Sequence, residues 1–244
     1  MIPEDRNNAA VSETLGYILL FAIVTLSMGV IYLIGYPILE TNMEANIFES
    51  AEQSFMVLKS NLDRVAFDQT PVKVLKMKLQ GSSISVSNQS TITISYSGNP
   101  PLPIETGEIV FRKGDKTMTY EMGGLFKAYP PDAEVAVSKP PIYVTTNDNV
   151  DITTIGVVDL NGNDHAAGKG IATLTLRHGS SILKRSSSST NVTLNINSSY
   201  APKWEEYLEE VGFTIGNASD STVSAYKNNT MLVVSIHEVD VDIS

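Results

Sequence analysis

Side-chain oxygens crowd most densely in the run Asp159-Leu-Asn161-Gly-Asn163-Asp164, and clustered carboxylates and amides of this kind are what a calcium loop uses. The glycine is out of place for a helix-loop-helix calcium site, and Gly170 stands where a bidentate glutamate is needed. The run therefore reads as a polar hairpin turn. His165, His178 and His237 are scattered without metal-ligand spacing, and the absence of cysteine removes thiolate catalysis, zinc-thiolate sites and disulfides. No nucleophile elbow, phosphate loop or dinucleotide fingerprint occurs. The 27 acidic residues can form catalytic pairs only through the fold. The expectation is a chain with no catalytic, metal or cofactor site.

A second chemistry is written into asparagine. Asn88, Asn191, Asn197, Asn217 and Asn228 each stand two residues before Ser or Thr, the acceptor pattern for N-glycosylation. The pattern has meaning only on a surface outside the cell. A net charge of −10 and an isoelectric point near 4.7 argue against nucleic acid as a partner. The Ser186–Ser189 run reads as a flexible loop.

The element that decides location is at the front. From Thr14 through Leu39 there is no charged residue, a stretch of about 39 Å as helix against a hydrocarbon thickness of about 30 Å. A secretory signal peptide has a basic leader, a shorter apolar core and a small-residue exit. Met1-Ile-Pro-Glu-Asp-Arg6 is mildly acidic and Tyr36-Pro37-Ile38-Leu39 offers no such exit, so the helix is expected to be retained. Arg6 is the one base near its N side, while Glu40, Glu44, Glu49 and Glu52 precede the first base beyond it, Lys59. That orients the N-terminus inside and the bulk outside. Past Pro37, where a kink is expected, Met43, Ile47, Ala51, Phe55, Leu58, Leu62 and Val65 recur at steps of three and four, and Pro71 closes the pattern. Ser12 with Gly16, and Thr25 with Gly29, are pairs of small residues four apart that permit close helix approach in an apolar setting.

Asp5-Arg6, followed by Ala10-Val11-Ser12-Glu13-Thr14-Leu15-Gly16-Tyr17-Ile18-Leu19, resembles the N-terminus of type IV pilins, most of all the archaeal pilin-like branch. The resemblance covers about the first 65 residues. It implies a leader removed by a membrane peptidase, insertion in the plasma membrane before assembly, and helices then bundled into a filament core. Cleavage between Asn8 and Ala9 makes Glu13 the fifth mature residue, where pilins often carry a glutamate; cleavage after Arg6 makes it the seventh. The basic residue expected at the junction is displaced by Asn7-Asn8. Glu13 then has two available roles: pairing with a new α-amino group to set axial register, or opening the helix within the headgroup layer.

From Val72 the period changes to two. Runs at 72–79, 91–96, 108–111, 117–120, 171–176 and 191–196 alternate between Gly-, Ser- and Asn-rich turns, and 202–211 reads as one short helix. Leu232, Val234 and Ile236 are apolar on even positions but Val239, Val241 and Ile243 on odd ones, so a bulge or change of sheet belongs near His237-Glu238. The expected class is α+β: a leader at 1–8, a long hydrophobic helix at 9–70 with a spanning half (14–39) and an amphipathic half (40–67), and an extracellular, sandwich-like β-rich domain at 71–244. The expected function is a structural subunit of a type IV pilus-like filament at the cell surface, serving adhesion, with Glu13, Gly16, Gly29 and Pro37 in the assembling helix. The alternative is a membrane-anchored surface binding protein or minor pilin-like component. Expected partners are further copies of the chain through the helix, the membrane, a leader peptidase and surface glycans.

Overall fold

The computed structural model describes residues 6–129, 131 and 133–244, with side chains from Thr14 onward. Most of the expected leader and the side chains of Asn8, Ala9 and Glu13 therefore lie outside the described residues. The chain divides into two units, Met1–Ile47 and Phe48–Ser244, and helix α1 (Arg6–Ala66) has residues in both.

In the first unit no described side chain is buried. Nineteen large apolar side chains between Leu15 and Met43 are 45–74% exposed. The helix continues through Pro37, whose missing N–H deprives the Leu33 carbonyl of its usual donor. Thr25 and Thr41 turn their hydroxyls onto the carbonyls of Phe21 (2.8 Å) and Pro37 (2.9 Å), so neither presents an unpaired donor to its surroundings.

In the second unit α1 changes character. Phe48, Ala51, Phe55, Leu58, Leu62 and Val65 alternate steps of three and four and are at most 5% exposed, the narrow stripe of a helix laid on a packed surface. The sequence periodicity places Met43 at the head of this stripe; Met43 is instead 63% exposed, and Phe48 is its first buried member. Periodicity marks a face that can be covered, whereas burial requires a covering surface, and the compact unit begins only at Phe48. Phe55 meets Phe111 edge-on at 6.2 Å and Phe48 meets Tyr129 at 5.4 Å. Glu52 pairs with Lys127 at 2.9 Å beside them.

The strands form two sheets. The six-stranded one runs β11 (His165–Gly168), β2 (Ser82–Ser87), β5 (Glu108–Lys113), β6 (Lys116–Glu121), β7 (Gly124–Tyr129), β8 (Ala133–Ser138). The nine-stranded one is organised by β15 (Thr222–Ile243). Antiparallel to β15 are β12 (Ile171–Arg185), paired with its C-terminal part, and β13 (Thr190–Asn197), paired with its first part. The parallel β10 (Val150–Asn161) and the antiparallel β14 (Thr214–Ala218) also pair with it. Beyond these pair β1 (Val72–Lys78), β3 (Thr91–Tyr96), β4 (Leu102–Glu105) and β9 (Ile142–Asn147). The Ser186–Ser189 run bridges β12 and β13 and is not a free loop at its start: Ser186 N–H donates to the Leu232 carbonyl, and Leu232 N–H donates to the Ser186 hydroxyl at 2.9 Å.

The expected slip in the last strand is present, two residues early. Val223, Ala225, Leu232 and Val234 face one core cluster; Ser235 and Ile236 are both half-buried, and burial resumes on His237, Val239, Val241 and Ile243. The accompanying bulge sits in the partner, where β12 inserts a residue between His178 and Ser181. The first cluster also takes in Ile92, Ile94, Val192, Leu194 and Ile196, and is closed by α2 (Ala201–Glu210) through Trp204, Tyr207 and Leu208. Gly107 shows how tightly the two sheets' connections approach: its φ is +57°, and a Cβ there would lie 2.3 Å from the Leu160 carbonyl oxygen.

Phe55 fills the joint between α1 and the β-strands with a fully buried ring. Phe55→Ala in the detergent-solubilised full chain is expected to lower the stability of the β-rich unit by about 3–5 kcal/mol, read from the midpoint of its urea unfolding curve.

Candidate functional site

The described residues of the first unit offer an exposed apolar surface. Taking each of its nineteen large apolar side chains out of water is worth about 1.5–3 kcal/mol, or roughly 30–55 kcal/mol together, several times the ~5–15 kcal/mol by which a whole domain is stable. That surface is therefore the strongest site for interaction in the chain. A Cβ at Gly16 or Gly29 would meet nothing within 4 Å, so nothing inside the chain requires glycine there, and each costs a helix about 1 kcal/mol relative to alanine.

The structure brings together side chains that sequence spacing leaves apart. At the β12 bulge, Ser181 Oγ lies 2.9 Å from His237 Nδ1 and 3.5 Å from His178 Nε2. Phe67, just past the end of α1, stands edge-on to the His237 ring at 4.9 Å. Burial, then the neighbouring His178, pushes the His237 pKa down. A hydroxyl against an imidazole is the beginning of a nucleophilic site, but among the described residues no carboxylate hydrogen-bonds either ring to orient it. The trio instead packs where α1 hands over to β1: the His178 N–H donates to the Pro71 carbonyl at 3.1 Å. Only pairing of β12 with β15 makes this neighbourhood, and no sequence signal encodes it. His165, exposed at the start of β11, is not part of it.

A buried carboxyl pair was equally invisible. Glu121 is fully buried and accepts hydrogen bonds from Ser90 (2.7 Å), Ser198 and Trp204 Nε1 (2.5 Å). Glu108, its cross-strand neighbour, is 7% exposed. Burial raises both pKa values, and for Glu108 the Glu121 charge raises it further. These bonds tie α2 and the β2–β3 turn to the six-stranded sheet, which is a structural use of the pair.

The oxygen-rich run at 159–164 ends β10 and turns into β11. Asp164 Oδ2 accepts the Ile243 N–H at 3.1 Å, and a Cβ on Gly162 would lie 2.4 Å from the Val241 carbonyl oxygen. The run is a connector pressed against the C-terminal strand. Asp159 is pushed up to about 6 by burial and then by Glu238 and Glu105.

All five sequon asparagines are exposed. Asn191 and Asn197 lie on β13 and Asn217 on β14. Asn228 lies in β15 at the bulge opposite Asn191, and Asn88 in the turn between β2 and β3. Gly16, Gly29 and Pro37 lie on the exposed first unit.

These features define a class of protein: one apolar N-terminal helix, long enough to cross a membrane by length and composition, followed by a β-rich domain that the helix's second half completes. The chain belongs to the family described as "Family of unknown function (DUF7289)", which matches residues 9–242. One "Uncharacterized protein" of Archaeoglobus fulgidus is 21% identical over 226 residues, covering 84% of this chain and 82% of the relative. A second "Uncharacterized protein" from that organism is 24% identical over 104 residues, 41% of this chain and 34% of the relative. No solved structure matches the chain.

Asp159 yields a pH dependence with a definite sign. Its folded pKa of about 6 exceeds the unfolded value of 3.8, so its favourable contribution is complete below the unfolded value and lost as pH rises through the folded one. Asp159→Asn is expected to leave the melting temperature unchanged below about pH 4 and to raise it at pH 7. Screening at this half-buried position limits the gain to about 1 kcal/mol, or about 2–4 °C, measurable by thermal melts across that pH range.

Proposed function

We propose that the protein is a structural subunit of a type IV pilus-like surface filament, inserted in the plasma membrane before assembly and bundled afterwards through residues 14–39 of its helix. The observation that carries this reading is the uninterrupted exposure of the nineteen apolar side chains between Leu15 and Met43. Either lipid or further copies of the same helix can cover them, and a subunit uses the first before assembly and the second after it. Open space at Gly16 and Gly29 supports copies: small residues let helix backbones approach in an apolar setting, where dispersion rather than water exclusion holds them. The acidic, β-rich domain then stands outside and serves adhesion. The family match starting at residue 9 suits a mature chain beginning at Ala9, with Glu13 fifth, paired to a neighbouring α-amino group. No catalytic group is assigned in this reading.

The test is the state of the protein on the cell. Material sheared from the surface is expected to contain the chain, starting at Ala9 by N-terminal mass analysis, in filaments with a helical repeat under the electron microscope. Gly29→Leu is expected to remain in the membrane with an unchanged β-domain melt while filament yield falls at least tenfold. Intact Met1 and extraction by detergent only as single copies would replace the filament with a membrane-anchored binding protein.

A further inference from the structure

One face of the nine-stranded sheet departs from the acidic character of the chain. Ile92 and Ile94 of β3, Val192, Leu194 and Ile196 of β13, and Val223 and Ala225 of β15 point into the core, so the alternate residues point out. Strand register lines these up in rows across β3, β13, β15 and β14. Thr93, Asn195, Ser224 and Asn217 form one row, and Thr91, Asn197 and Thr222 the next. Ser95, Thr193, Tyr226 and Thr214 form a third. Across these four strands none of the three rows contains a charged residue, in a chain of net charge −10; on β4 the exposed Glu105 stands opposite Thr91 and closes the second row. Asn197 and Asn217 line one shallow groove together with Thr222 and Ser224.

The five sequons divide on this background. An acceptor pattern that demands a hydroxyl two residues after the asparagine implies that the transferring enzyme reaches that hydroxyl as well as the amide. In Asn197-Ser-Ser199 and Asn217-Ala-Ser219 both groups are exposed, and in Asn191-Val-Thr193 the threonine is half-buried. Asn191 Oδ1 accepts the Asn229 N–H at 3.1 Å, and among the described residues nothing hydrogen-bonds its Nδ2. The other two sequons have an exposed asparagine and an inaccessible hydroxyl. Ser90 is 2% exposed and donates to Glu121 at 2.7 Å. Thr230 is 0% exposed, hydrogen-bonded to the Thr153 hydroxyl at 2.8 Å and to the Asp151 carbonyl at 3.1 Å.

We propose that Asn191, Asn197 and Asn217 carry N-linked oligosaccharides and Asn88 and Asn228 do not, so that the uncharged face of β3, β13, β15 and β14 is the glycan-covered side of the β-domain. The inference rests on the export reading above, because the donor is a lipid-phosphate-linked oligosaccharide presented at the outer membrane surface. The asparagine Nδ2 forms a bond to the anomeric carbon, the bond from that carbon to the lipid phosphate oxygen breaks, the amide gives up one proton, and the lipid phosphate leaves. Hydroxyl and amide neighbours across the four strands offer the attached sugar hydrogen bonds, with the carboxylates Glu105 and Asp220 at the margins of the face.

Trypsin separates the sites in native protein from the membrane or sheared surface fraction. Residues 79–112 hold Asn88, 186–203 hold Asn191 and Asn197, 204–227 hold Asn217, and 228–244 hold Asn228. Mass spectrometry with fragmentation is expected to find a glycan at Asn191, Asn197 and Asn217, with Asn88 and Asn228 bare. Asn197→Gln and Asn217→Gln should each remove one glycan mass with no change in melting temperature. Surface-located protein bare at the three sites overturns the inference while leaving the filament reading intact. Equal occupancy at all five also overturns it, by showing that attachment precedes folding and ignores the hydroxyls. Recovery of the chain only from the cell interior overturns the export reading and this inference with it.

Discussion

The apolar surface of the first unit is the constraint on which everything else turns. Nineteen large side chains in contact with water represent an unfavourable free energy larger than the folding stability of any domain of this size. The second unit has a core of its own, to which α1 contributes Phe48 through Val65. An apolar surface of this size favours a cover of lipid or of further apolar helices, and both the membrane and the assembly readings proposed above are answers to it.

The β-domain meets a different constraint: α1 supplies one of its faces. The stripe from Phe48 to Val65 is packed by Phe111 and Tyr129, so the same helix that is apolar all round in one unit is amphipathic in the other. Such a division suits a chain whose two parts meet different surroundings. The buried Glu121, held by Ser90, Ser198 and Trp204, fixes α2 over the first core cluster. Burial raises its pKa while these three hydrogen bonds lower it, so the donors offset part of the desolvation cost of placing α2 there. Strand β15 runs past both parts of the core, and the change of face at Ser235-Ile236 lets one strand serve them.

Two clusters of polar groups come together only in the fold: Ser181, His178 and His237 meet beside the α1–β1 connection, and the buried carboxyls accept hydrogen bonds from hydroxyls and an indole.

The linear chain determined the parts whose signal is local. A charge-free run from Thr14 to Leu39 can only be an apolar helix, the steps of three and four from Ala51 to Val65 mark its packed face, and short alternating runs such as 91–96 mark strands, since each is a periodicity within one element. Strands β2, β4, β7, β8, β9, β10, β11 and β14 escaped. Burial in β7, β8, β9 and β14 does not alternate cleanly, and β4 and β11 span four residues each. Strand β2 alternates but is written mostly in serine, and β10 is buried on consecutive residues. Tertiary structure alone decided where the stripe on α1 begins, because burial at Phe48 but not Met43 depends on where a partner surface starts. It also decided which acids and histidines meet: Ser181 and His237 are 56 residues apart, and Glu121 and Trp204 are 83 apart. Contacts at such separations are set by strand register and helix docking, and no local pattern of residue types carries that information.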